Sequence, residues 1–118
     1  MLSPEELPEY INRSYPELSA VCGKDNCNNI YDVVRQLLKY TSKQIRQHNT
    51  VAARKCLSLA DNLHKKGNTA IRNAIENVFI YSFTHAFFTD EKQRQEILGI
   101  VPDSLYALYK KQVLYSHL

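Results

Sequence analysis

Apolar positions at Ile30, Val33, Val34, Leu37, Leu38 and Ile45, with Thr41 among them, recur at the three- and four-residue spacing of one helical face. The stripe predicts a helix over about 29–48, opening beyond Asn28 or Asn29. Ala52, Ala53, Cys56, Leu57, Leu59, Ala60 and Leu63 then mark a second helix over about 51–66. It follows a short break at Asn49-Thr50, where Thr50 offers a cap, and it ends at Gly67-Asn68, with Gly67 read as the left-handed residue that often follows a helix.

A third helix, capped by Asn68 or Thr69, runs in this reading to about Phe88 and differs in kind. Ile71, Ala74, Ile75, Val78, Phe79, Ile80, Phe83, Ala86, Phe87 and Phe88 leave little of its circumference polar. A helix apolar nearly all round is an enclosed one, so 69–88 is expected to be the central helix. A short helix from Thr89-Asp90-Glu91 to Leu98, stopped by Gly99, and a last one over 103–116 beyond Pro102 complete the chain. The last helix sets Leu105, Leu108, Tyr109 and Val113 on one side.

Residues 3–28 are less regular. Ser3, Pro4, Glu5 and Glu6 suit a helix start, Pro8 is expected to limit or shift that helix, and Pro16 and Cys22-Gly23-Lys24-Asp25-Asn26-Cys27-Asn28 follow. The division is thus a proline-containing amino-terminal segment, 1–28, with a short helix packed on a helical domain, 29–118. No stretch shows strict alternation or hairpin turn chemistry. The expected fold is all-α: antiparallel helical hairpins in a bundle or short right-handed stack around the helix at 69–88, without true repeats.

With 118 residues, 44% apolar and 23% charged, the composition is that of one domain able to bury its own core, and it excludes disordered, collagen-like and disulfide-scaffold classes. The opening residues lack the basic start and apolar run of an export signal, and Ala70–Phe88 is interrupted by Arg72, Asn73, Glu76 and Asn77, too often for a membrane span. Three cysteines fit reduced thiols and a cytoplasmic location.

Charge is unevenly placed. Residues 35–66 hold eight cations against Asp61 alone, a net of +7, while 1–34 carry −4 and 67–118 are neutral. Arg35, Lys39, Lys43 and Arg46 form a stripe about 16 Å long at ~1.5 Å per residue, and Arg54 and Lys55 follow on the next helix. The stripe suits an acidic partner or a phosphate backbone; its plain reading is a solvated face partly answered by the acidic amino-terminal segment.

Other chemistry is thinly represented. Residues 41–63 resemble a helix-turn-helix only loosely, because the apolar stripe runs unbroken through Tyr40-Thr41 and the turn at Asn49-Thr50 is short. Tyr31 and Tyr40 are too few for single-strand stacking. Cys22 and Cys27 lack zinc-knuckle spacing and a second ligand pair, and His48 and His64 stand at opposite ends of a helix; Cys56 reads as core. No metal or cofactor is expected. An enzyme reading would need a pocket beside the third helix at Glu76 or His85, near Arg72; Asn73, Glu76, Asn77 and Thr84 otherwise form that helix's one polar edge. Tyr106 and Tyr115, off the main stripe of the last helix, are candidate interface anchors.

Gly67-Asn68 followed by Ile71, Asn73-Ala74-Ile75 and Phe79, with Ile100-Val101-Pro102-Asp103-Ser104-Leu105 and Tyr109, resembles a family of small bacterial all-α domains of unknown function. The resemblance spans about 60 residues, leaves out the amino-terminal segment and Cys22–Cys27, and implies an immunity-like inhibitor of a toxin and no catalytic residue. The function expected is therefore non-enzymatic protein binding, toxin-neutralising or adaptor-like, through the basic face; the alternative is a nucleic-acid-binding accessory protein.

Overall fold

The fold, a computed structural model, is described over residues 1–22, 29–82 and 91–116, with the side chains of 20–22, 93 and 112–116 left aside. A single 3-10 turn, Pro4–Glu6, leads into helix α1, Leu7–Ser14. Ser3 opens the turn, its amide and hydroxyl both donating to Glu6 Oε1, at 3.2 and 2.8 Å. Of the two effects expected of Pro8 the structure shows the shift: the α-helix starts at Leu7 and not at Pro4, with Pro8 in its first turn, where a residue lacking an N–H costs nothing. A second 3-10 segment, Pro16–Cys22, follows.

Helix α2 spans Ile30–Arg46 and α3 spans Thr50–Lys66. Both are capped by asparagine: Asn29 Oδ1 accepts from the Asp32 amide at 3.0 Å, and Asn49 Oδ1 from the Ala52 amide at 3.2 Å. Asn49 therefore takes the capping role the sequence offered to Thr50, which is the first helical residue instead. The left-handed residue lies at this α2–α3 turn too: His48 has φ 57°. Gly67 is extended, φ −75° and ψ 156°, contrary to the sequence expectation.

The third helix departs most from its sequence reading. It is α-helical over Thr69–Ala74, α4, with Asn68 as cap, then widens into a π-helical turn over Ile75–Ile80, and resumes an α pitch at Tyr81 and Ser82. Residues 83–88, including Phe83, Thr84, His85 and Phe87, lie outside the described residues. A π turn closes i to i+5, so Ile80 comes round onto the face of Ile75 and Phe79; all three are buried while Val78 is left at the boundary. The segment is also less enclosed than its composition suggests: Ala70, Arg72, Asn73, Asn77 and Tyr81 are exposed.

Helices α5, Glu91–Leu98, and α6, Asp103–Ser116, complete the chain. On α6, Leu105 and Tyr109 are buried and Leu108 is half-buried, as the stripe predicted; Val113 and Tyr115 fall among the side chains left aside.

The described chain is all-helical, with one isolated bridge between Leu2 and Gly67 in place of any strand. α2 packs against α3, the Pro16–Cys22 segment, α4 and the π turn, and α6 packs on α3 and the π turn. The core joins Leu7, Ile11 and Leu18 of the amino-terminal segment to Leu37, Leu57, Leu59, Leu63, Ile71, Ile75 and Phe79. None of the helices described is long and apolar enough to cross a membrane.

Candidate functional site

The apolar stripe that buries Val33, Val34, Leu37 and Ile45 against the bundle turns the opposite side of α2 to solvent, and the basic residues are on that side. Arg35, Lys39, Lys43 and Arg46 are all exposed, as are Arg54 and Lys55 near the start of α3. Two of the six are answered from within the chain. Arg35 Nη1 lies 3.0 Å from Asp32 Oδ1 one turn back, and Lys55 Nζ is ion-paired with Glu17 from the amino-terminal 3-10 segment. The hydrogen bond from Lys55 holds the Glu17 carboxyl below its usual range. Among the described residues, no carboxylate comes within ion-pair distance of Lys39, Lys43, Arg46 or Arg54. Arg46 Nη1 donates to the Ser42 hydroxyl at 3.5 Å.

The polar edge of the third helix is dispersed. Asn73 and Asn77 face solvent, while Glu76 Oε2 stands 3.7 Å from His64 Nε2 on α3. That nitrogen is shielded from solvent and has no hydrogen-bond partner among the described residues. Thr84 and His85 lie outside the described residues. Among the described residues no three His, Cys, Asp or Glu side chains come together as a metal site. The Cys56 thiol is fully buried, and burial pushes its pKa up to about 11.

Sequence reading missed one side-chain cluster. Arg94 Nε donates to the Tyr109 hydroxyl at 2.8 Å, Nη2 donates to the same oxygen, and the guanidinium lies 5.6 Å from the centre of that ring. Glu91, held below the usual carboxylate range by hydrogen bonds from Gln95 and Arg94, closes the group. It borders an open cleft of about 480 Å³ between α5 and α6, whose walls include Leu98, Val101, Asp103 and Tyr106. Tyr106 is half-buried rather than free: its ring lies 6.0 Å from that of Tyr109 and carries Lys110 Nζ at 4.9 Å. Fifteen residues separate Arg94 from Tyr109, and no local spacing signals such a pair.

No curated protein and no solved structure matches this chain. A family model does, that of "Domain of unknown function (DUF7674)", over residues 7–115. The match begins at the first residue of α1, so it takes in residues 7–28 of the amino-terminal segment, with the Cys22–Cys27 stretch, that the sequence resemblance left out. With nearly the whole length aligned to that model, the chain belongs to the family described as Domain of unknown function (DUF7674).

Proposed function

We propose that this protein is a non-enzymatic binding domain that takes an acidic protein partner on the outer face of α2 and the adjoining start of α3. The observation that carries the reading is the exposure of Lys39, Lys43, Arg46 and Arg54 with no described carboxylate to answer them. The Glu17–Lys55 pair is an example, inside the chain, of a carboxylate seated on this surface. Cations along one stripe steer an acidic partner by long-range attraction that salt weakens. A toxin-neutralising or adaptor protein working in the cytoplasm is the biological form this proposal takes, and the buried free thiol of Cys56 suits a reducing compartment.

Binding to poly-L-glutamate tests the proposal. The wild-type protein should bind at 50 mM salt and release by 300 mM. The triple variant Lys39→Glu, Lys43→Glu, Arg46→Glu should lose binding while keeping its helical circular dichroism. Undiminished binding by the triple variant would reject the face; tighter binding to mixed-sequence DNA than to polyglutamate would favour the nucleic-acid alternative.

A further inference from the structure

The end of the α2–α3 hairpin combines charge with an apolar side chain that charge does not explain. Residues 46–51 are exposed without interruption, and within them Val51 is 70% exposed. Arg54 and Lys55, three and four residues on, share its helical face, and Arg46 ends α2 just across the turn. A cavity of about 40 Å³ lies on the core side of the turn, with Ile45, His48, Ala53, Glu96 and Ile97 among its walls and Val51 outside them. A lone exposed valine is ordinary on a protein surface; one flanked by Arg46 and Arg54, which no described carboxylate answers, and by Lys55, which already seats the Glu17 carboxylate, has the make-up of a protein interface, with an apolar centre and a charged rim. A phosphate backbone rewards the cations alone. A membrane surface would call for a broad apolar face, whereas the opposite side of α2 is spent on the core.

We propose that this hairpin end is the docking centre of the basic face, and that its occupant is an acidic protein segment with an aliphatic side chain that packs on Val51. The inference rests on the reading of the basic face as a partner surface, and the two fail separately. Two labelled 15-residue helical peptides serve as probes, both with glutamate at every fourth position, one with a single leucine on the same face and one with glutamine in its place.

By fluorescence anisotropy, the wild-type protein should bind the leucine peptide at least five-fold more tightly than the glutamine peptide. Val51→Ser, a change at an exposed site, should bring the two within two-fold of each other. The triple charge reversal should lose both. A leucine preference that is absent, or that survives Val51→Ser, overturns the docking centre while leaving the basic face intact. Binding that survives the charge reversal, or no binding of either peptide by the wild type, overturns both readings. Tighter binding of oligothymidylate or of phosphatidylserine vesicles than of the leucine peptide overturns the choice of a protein segment.

Discussion

Gly67 and Ile71 meet where α3 gives way to α4, and they meet too closely for any side chain on the glycine. A Cβ placed on Gly67 would lie 2.6 Å from Ile71 Cβ and closer still to Ile71 Cγ2 and the Leu63 carbonyl oxygen. The backbone angles there suit any residue, so the demand for glycine is one of space. Leu2 adds to the crowding: its amide donates to the Lys66 carbonyl at 2.7 Å and its carbonyl accepts from the Asn68 amide at 2.8 Å.

Gly67→Ala should therefore destabilise the fold by about 1–3 kcal/mol, the usual cost of overpacking. Gly99→Ala is the contrast. Its nearest contact, the Glu96 carbonyl oxygen, is 3.3 Å from the added carbon, and a slight shift accommodates it. Urea unfolding of the two variants should show a lowered midpoint for the first and little change for the second.

Cys56 makes a prediction about pH. Burial raises its folded pKa from 9.0 to about 11, so the native state binds a proton that the unfolded chain releases earlier. The associated stability is present below pH 9 and is lost as pH rises toward 11. In a background where Cys22 and Cys27 are serine, native protein at pH 8 should resist a thiol reagent that labels the urea-unfolded chain at once. Cys56→Ala should flatten the fall in stability over that alkaline range.

Asp61 is buried on α3 and held by two partners: Ser104 Oγ on α6 donates at 2.6 Å, and Lys65 Nζ lies 3.1 Å away. The serine bond ties α6 to α3. Ser104 is itself exposed, so water can take the place of its hydroxyl in Ser104→Ala, and the loss should be that of one hydrogen bond to a charged group, about 1.5–3 kcal/mol at most. Lys65→Ala, which removes a half-exposed partner, should cost less than ~1 kcal/mol. Thermal unfolding of the two variants measures the difference; equal losses would mean that the serine bond has no special weight.

The helix stripes of α2, α3 and α6 were legible because each buries one face, and burial repeats at the helical period. The π turn was not. An ordinary α-helix would keep Ile75 and Phe79 on one face and turn Ile80 away from them, and α2, α3 and α6 all pack about the wider turn that brings Ile80 back. The turn at His48 was hidden for a different reason, since histidine enters the left-handed region more readily than most residues but still uncommonly, and no local pattern marks which one does. The basic stripe was readable from spacing alone, because exposed charges on a helix answer to geometry. Val51 was read as neither core nor surface, and its exposure became visible only with the hairpin end in view.

The amino-terminal segment meets α3 along one face. Glu17 pairs with Lys55, the Tyr15 hydroxyl lies 3.1 Å from Ser58 Oγ and accepts from Asn62 Nδ2 at 2.5 Å, and Lys66 stands 5.7 Å from the centre of the Tyr10 ring. Positions 55, 58, 62 and 66 follow the helical repeat, so the segment lies along a single stripe. Its hold on the fold comes from Leu7, Ile11 and Leu18, all at 2% exposure or less, and not from the exposed ion pair. Ile11→Ala should cost about 2–5 kcal/mol, the range for a buried large-to-small change. Glu17→Gln should leave stability near wild type at neutral pH. The lowered pKa of Glu17 makes its contribution one that is present near neutrality and fades as pH falls through the folded value, so whatever effect Glu17→Gln has should vanish in acid. Urea titrations of both variants at pH 7 and pH 3 test the division: a large loss for Glu17→Gln at neutral pH, or none for Ile11→Ala, would mean that the surface pair and not the apolar contact fastens the segment.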